Sequence, residues 1–343
     1  MHLKASFIGI LLTFILAACL PSAGSDNQTG QSVDSNESSN GLKENSIINL
    51  YDAFGKDIPN LTQDFGFSCI LKYKGKTILF DSGTNADIFK NNVEALGIDL
   101  KSIDFAVCSH AHFDHINGFD YLLEVNPDVK IYFPFDMYWG ANIPFNLGGK
   151  EASIVDSLDK DMQYFGGDFE SYQFNQSGRF WKGNIEFVSE STEIEPGIRL
   201  ITTSSPYLGY FSKYPSLGNY HEKDDPSASG ESANFSQLPE ISLSLSTDEG
   251  QVVIVGCSHS TVETIIAETQ SITQDDIALV YGGYHLLPYD RSTLHDLSVR
   301  LIDDYQVKKV APTHCTGHLA FKILKDRFGD NYVFAGLGEQ IAF

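Results

Sequence analysis

The sequence predicts an α/β protein in which two mixed β-sheets pack face to face, with helices on the outside. Two observations carry that expectation. A strand-rich stretch opening at Ser46 passes into strand–helix alternation, and a second stretch opening near Ile241 does the same. A hydrophobic content of 42% across 343 residues also leaves enough apolar material for one large core or two fused halves. No repeat of fixed short period runs through the chain.

Residues 1–18 read as a signal peptide rather than as part of the fold. Lys4 gives a weak positive start, and Phe7 to Ala18 is an apolar run too short for a mature membrane span. The run ends in Leu16-Ala17-Ala18-Cys19, which resembles the bacterial lipoprotein signal and makes Cys19 the lipidated residue. Residues 19–45 are Ser-, Asn-, Gly- and Asp-rich and read as a disordered tether. The chain is therefore expected outside the cell, lipid-anchored to the envelope of a bacterium.

The catalytic domain is expected over 46–343. Ser46–Tyr51, Ser68–Tyr73 and Lys76–Phe80 read as strands, the last two joined by a Lys74-Gly75 turn. Asn85–Leu96 has helical spacing, and Ile103–Cys108 reads as a buried strand. Ile116, Phe119, Leu122 and Leu123 recur at helical period, with Asp114 placed to cap that helix. Val129–Phe133 is the next strand. From about Tyr138 to Gln237 the pattern loosens into a loop-rich insertion, with strand-like pieces at Ile185–Val188 and Ile198–Thr202. Regular structure resumes with strands at Ile241–Ser246 and Gln251–Val255 and a helix over Thr261–Ile272. Strand Ala278–Tyr281, helix Thr293–Asp304, strand Val307–Val310 and helix Leu319–Phe328 follow, and Tyr332–Ala335 and Gln340–Ala342 read as short closing strands.

Acidic residues outnumber basic ones 45 to 23, giving a formal charge of −22. That balance argues against a nucleic-acid partner, because phosphate binding needs a basic face. Past Cys19, Cys69, Cys108, Cys257 and Cys315 are scattered without Cys-x-x-Cys spacing, so buried small hydrophobes are the default reading. Cys257 and Cys315 each lie within two residues of a candidate metal ligand.

His110-Ala-His112-Phe-Asp114-His115-x-x-Gly118 carries the chemistry. At a strand end, residues two apart point the same way, so His110 and His112 can share one ion. Asp114 and His115, at the turn into a helix, can reach a second ion nearby. Imidazole and carboxylate donors suit zinc, with iron or manganese as alternatives.

This motif resembles the metallo-β-lactamase superfamily, as does Thr77-Ile78-Leu79-Phe80-Asp81-Ser82-Gly83, where the resemblance implies that Asp81 supports a ligand histidine from behind. The stretches Pro239-Glu240-Ile241-Ser242-Leu243, Val255-Gly256-Cys257-Ser258-His259, Gly282-Gly283-Tyr284-His285-Leu286 and Pro312-Thr313-His314-Cys315-Thr316-Gly317 occur in that order. They resemble the branch named for a dihydropterin–ribofuranosylaminobenzene phosphate synthase. The resemblance implies a four-layer αββα sandwich and two divalent cations. His259 would complete one site with His110 and His112, and His314 the other with Asp114 and His115. Many members carry a bridging aspartate where this chain has Gly256-Cys257-Ser258-His259, which leaves Cys257 in place of an acid, expected as a supporting residue behind the ligands. His285 is a candidate catalytic residue, open to support of a ligand, substrate contact or ligation, with a structural role as the alternative. The branch also has Glu-His-Gly-x-Ser near its first hairpin, where this chain has Asp64-Phe65-Gly66-Phe67-Ser68, so a different substrate is expected if that histidine touches it.

His221, His295 and His318 lack a ligand context, and the aromatic residues of the middle segment read equally well as substrate-pocket loops, which the resemblance implies, or as an ordinary hydrophobic mini-core. The expected activity is hydrolysis of a small ester, lactone, amide or phosphodiester by a hydroxide held between two metal ions, with Asp114 aligning it. A di-iron oxidoreductase and a lipid-anchored binding protein without turnover are the alternatives. Synthesis of a methanopterin precursor is a cytosolic task and fits an exported chain poorly.

Overall fold

The computed structural model describes residues 42–135, 143–145, 157–163, 172–174, 180, 183–205 and 237–343. The signal peptide, Cys19 and most of the tether lie outside the described residues. The tether is shorter than expected at its far end. Leu42 is buried against the first sheet, and the Asn45 carbonyl accepts from the Phe343 N–H, so the folded chain begins by Leu42.

The first sheet has seven strands. Strands β1 (Ser46–Tyr51), β2 (Ser68–Tyr73) and β3 (Lys76–Phe80) form an antiparallel meander. Strands β4 (Phe105–Val107), β5 (Lys130–Pro134) and β8 (Asn184–Val188) continue it in parallel, and β15 (Gln340–Ala342) pairs with β1 at the other edge. Strands β6 (Ile143–Phe145) and β7 (Tyr172–Phe174) form a separate antiparallel pair. The second sheet runs β14-β13-β12-β11-β10-β9. Its strands are β9 (Thr192–Glu195), β10 (Ile198–Ser205), β11 (Leu238–Thr247), β12 (Gly250–Val255), β13 (Ile277–Gly283) and β14 (Lys309–Thr313), the last three parallel.

Residue alternation along the strands sorts the apolar side chains into three layers. Cys69, Leu71, Ile78 and Phe80 of the first sheet meet Leu200, Leu243, Val252 and Ile254 of the second in the central layer. Their neighbours Ile70 and Leu79 face outward, under helices α1 (Ala86–Ala95) and α3 (Phe119–Val125). Val253 and Val255 face outward on the other side, under α4 (Val262–Thr273), α5 (Arg291–Asp303) and α6 (His318–Phe328). Helices thus cover both outer faces of a two-sheet sandwich, as the sequence predicts.

Four expectations need correction. Strands β8, β9 and β10 lie inside the interval read as an insertion, yet they are built into the two main sheets. Residues 332–335 form no strand. Tyr332 makes a single bridge to Val310, while the Ala335 carbonyl accepts from the Asn49 side chain and Phe334 packs on Phe54. The helix after the histidine motif is broken in two, α2 (Phe113–Ile116) and α3, with Gly118 between them. Asp114 caps neither, because its carboxylate is drawn towards His115 and His314 instead.

Candidate metal centre

Parallel strands deliver their C-terminal ends to one place. The turn after β3 brings Asp81, the loop after β4 brings Ser109 to His115, and the loops after β12, β13 and β14 bring Cys257 to His259, His285 and His314. Ligand sites form at such ends because the strands stop there while the loops remain free to vary. Ten described non-glycine residues have left-handed backbone, and five of them (Asp81, Ser258, Thr261, His285 and His314) lie in these loops. Strain concentrated at one place marks a functional constraint there.

Two donor groups stand side by side. His110, His112 and His259 offer three ring nitrogens within 4.8 Å of one another, and Asp114, His115, Cys257 and His314 form a second group within the same limit. Cys257 also groups with His259 and His285, so its sulfur lies between the two sets. The ring centroids of His110 and His115, one from each set, are 4.2 Å apart.

The hydrogen bonds behind the ligands select which nitrogen faces the centre. Asp81 Oδ1 accepts from the Ser109 N–H at 2.6 Å, and its Oδ2 accepts from Ser109 Oγ at 2.7 Å. With its proton spent on Asp81, Ser109 Oγ receives Nδ1–H of His110 at 2.8 Å, which leaves Nε2 of His110 with a bare lone pair. His115 Nδ1 donates to Asp81 Oδ2 at 2.6 Å, so its Nε2 is bare as well and lies 3.1 Å from Cys257 Sγ. His110 Nε2 and both ring nitrogens of His259 are buried without a hydrogen-bond partner. Buried polar atoms are costly to leave unpaired, and a cation held here would satisfy these.

Two further carboxylates hold the loops rather than the rings. Glu240 on β11 accepts from the backbone N–H of His259 and of Ser260, both at 2.7 Å. Asp52, just past β1, accepts from the His314 N–H at 3.1 Å and from the Asn49 side chain at 2.9 Å. Gly256 is needed where the sheets meet, since a Cβ there would come within 2.2 Å of Ser109 Oγ.

Electrostatics agree with a cation site. Burial pushes His110 and His259 well below the usual imidazole range, and the neighbouring imidazoles push the same way, so both rings are neutral and able to ligate. Burial works against ionisation of Asp114, but His115 and His314 beside it hold the carboxyl well below its ordinary range. Burial raises the Cys257 thiol, which keeps its proton until a cation replaces it. Burial also lifts Asp52 to about 6, against the pull of His314. The donor set of imidazole, carboxylate and thiol fits a divalent transition metal.

Residues 61–200 match the family model of the metallo-beta-lactamase superfamily. The two mixed sheets with their covering helices are consistent with the metallo-beta-lactamase fold. It is similar to 7,8-dihydropterin-6-methyl-4-(beta-D-ribofuranosyl)-aminobenzene-5'-phosphate synthase of Methanocaldococcus jannaschii, with 26% identity over 78% of this chain and 85% of that one. It is also similar to the uncharacterized protein MJ0448 of the same organism, 25% identical over 80% of this chain and 92% of the other. Among solved structures, a metal-dependent hydrolase of the beta-lactamase superfamily superposes with a TM-score of 0.60 at 21% identity, covering 87% of this chain and 98% of that one. That likeness establishes the shared fold.

The structure brings together every candidate ligand residue named from the sequence: His110, His112, Asp114, His115, His259 and His314. Asp81 supports His115 from behind and also reaches His110 through Ser109. Cys257 is closer in than a supporting residue, since it takes a place in the donor groups themselves. His285 sits half-buried at the edge, its ring centroid 4.2 Å from that of His259. Phe65, in place of the branch's histidine, lays its ring 4.9 Å from that of His314 and is exposed to solvent. His295 and His318 are exposed on helices, and His221 lies outside the described residues. Ser109, Glu240 and Asp52 were missed as site residues. Glu240 falls in a motif read only as a marker of the branch, and nothing local singles out Ser109 or Asp52.

Proposed function

We propose that the chain is a metal-dependent hydrolase acting through two divalent cations, zinc in the first instance, on a small ester, lactone, amide or phosphodiester. The observation that supports this most is the pair of adjacent donor groups, one of three histidines and one of Asp114, His115, Cys257 and His314. The three-histidine group leaves a coordination position for water or substrate, as catalytic sites do. When bound, such cations acidify water and polarise a carbonyl or phosphoryl oxygen.

The protein's own residues supply the rest. Ser109 and Asp81 keep the Nε2 atoms of His110 and His115 free of protons. Asp114, ionised between His115 and His314, orients an attacking water through its second oxygen. His285, at the half-buried edge beside His259, passes a proton to the leaving group. A cavity of about 380 Å³ opens on Glu240 and is lined by Phe135, Val188, Thr202, Thr203 and Gln237, giving the substrate room next to the His259 loop.

Purified protein is expected to hold two divalent ions per chain by elemental analysis and to hydrolyse part of a panel of esters, lactones, amides and phosphodiesters. Chelation, or His110→Ala with His112→Ala, is expected to abolish turnover; full activity in metal-free protein would sink the proposal. A second reading, synthase chemistry like that in the name of the M. jannaschii relative, is supported by the length of that match. Incubation with a ribofuranosylaminobenzene phosphate and a dihydropterin carrying a leaving group on its 6-methyl carbon, followed by product analysis, separates the two.

We also propose export and anchoring through Cys19. Cys19→Ala is expected to move the protein from the membrane fraction to the soluble one, and an unchanged distribution would end that reading.

A further inference from the structure

Cys257 and Cys315 bring their sulfurs to 3.5 Å from each other, and both side chains are buried. They leave the ends of β12 and β14 and meet across β13, which lies between those strands. The crossing is open because residue 283 is glycine. A Cβ there would come within 2.9 Å of Cys315 Sγ and 2.4 Å of the Gly256 carbonyl oxygen. The other two described cysteines are engaged elsewhere. Cys108 Sγ turns to the His110 carbonyl at 3.4 Å, and Cys69 is packed in the layer between the sheets.

Nothing in the proposed hydrolysis uses Cys315. Its sulfur takes the backbone N–H of His285 at 3.2 Å and contacts Cys257, whose own sulfur belongs to the second donor group. A thiol aimed at the sulfur of a ligand cysteine is a partner for it in a second oxidation state.

We propose that Cys257 and Cys315 are a reversible disulfide site, and that closing the bond withdraws Cys257 from the donor set and releases the ion held with Asp114, His115 and His314. The closing step uses a hydroperoxide. One thiol attacks the peroxide oxygen to give a sulfenic acid and one water or alcohol. The other thiol then displaces water from that sulfur, so the S–S bond forms as two thiols lose two electrons and two protons in all. Closing the bond brings the two sulfurs from 3.5 Å to the roughly 2.05 Å of a disulfide. A disulfide sulfur has no anionic lone pair to offer, and the remaining donors hold the ion less tightly. The metal consequence rests on the reading of Cys257 as a ligand; the cross-link does not.

The experiment treats the full chain, both metal-free and zinc-loaded, with hydrogen peroxide. Peptide mass spectrometry then maps the cross-link, and a chromogenic chelator reads zinc release. The expected result is a Cys257–Cys315 peptide lacking two hydrogens, with Cys69 and Cys108 still alkylatable. In the loaded protein one ion should be released, its affinity having dropped at least the ~10–100-fold that loss of an outer partner costs, and dithiothreitol should restore it. Cys315→Ser is expected to bind zinc and to keep it under peroxide. Absence of the cross-linked peptide from the metal-free protein overturns the proposal, and so does equal zinc loss from Cys315→Ser. A cross-link in protein that never takes up metal upholds the disulfide site and defeats the hydrolase reading instead.

Discussion

Asp81 Oδ2 accepts the Nδ1 proton of His115 at 2.6 Å, and this contact decides which nitrogen of that ring faces the metal centre. The same oxygen holds Ser109 Oγ, which in turn fixes His110. One carboxylate therefore sets the tautomers of two histidines belonging to two different ligand groups.

Asp81→Asn replaces an oxygen with an amide that competes with one of these donors. Both donor groups are expected to lose about 10–100-fold in metal affinity, read by competition with a chromogenic chelator. Wild-type affinity in this variant would remove Asp81 from the site.

Glu240 has a different task, since both its oxygens are taken by backbone N–H groups of the His259 loop. Glu240→Gln turns an NH2 towards one of them and leaves a buried donor unpaired, at a cost of about 1–3 kcal/mol. Denaturant unfolding of the metal-free protein is expected to show that loss, and an unchanged midpoint would refute it.

Gly256→Ala places a methyl group 2.2 Å from Ser109 Oγ. The Ser109 side chain must move, and with it the contact that orients His110. Weaker zinc binding by the three-histidine group is expected, with the overall fold kept by circular dichroism. Full retention of zinc would show that the sheets tolerate the methyl group.

Phe65→His restores the residue type that the resembling branch carries next to His314. Metal content is expected to stay the same while the ranking of substrates in the hydrolysis panel changes. An identical ranking would exclude Phe65 from substrate contact.

Removing the metal is expected to lower the melting temperature reversibly, because an ion binding only the folded state adds about 2.7 kcal/mol when present at a hundred times its dissociation constant. His110→Ala with His112→Ala should abolish most of that metal-dependent increment. A melting curve indifferent to metal in the unaltered protein would count against both donor groups.

Much of the centre is legible in the chain because its ligands are local. His110 to His115 fall within six residues, and the apolar run of β3 and the spacing of α1 read directly as elements. His259 and His314 came from motif resemblance, since no local rule ties them to residues about 150 to 200 positions earlier. Ser109, Glu240 and Asp52 were not legible for a related reason. Serine and acids are common at strand ends, and only tertiary contacts such as Asp52 with His314 give them meaning. Asp114 misled in the opposite direction. Its position suits a helix cap, but the pull of two imidazoles in a buried site outweighs the roughly 1 kcal/mol that a cap supplies. At 332–335 an apolar run looked like a strand, yet its carbonyl and N–H groups go to Asn49 and Val310 singly rather than to a ladder.

The donors are divided between the two halves of the sandwich. His110, His112, Asp114 and His115 leave the first sheet, and Cys257, His259 and His314 leave the second. A cation taking donors from both is a clasp across the seam, and either half alone offers only an open jaw. Its grip then gauges how well the halves are mated. A side chain changed deep in the central layer, far from any ligand, shifts one jaw against the other and is felt at the clasp before the sandwich comes apart.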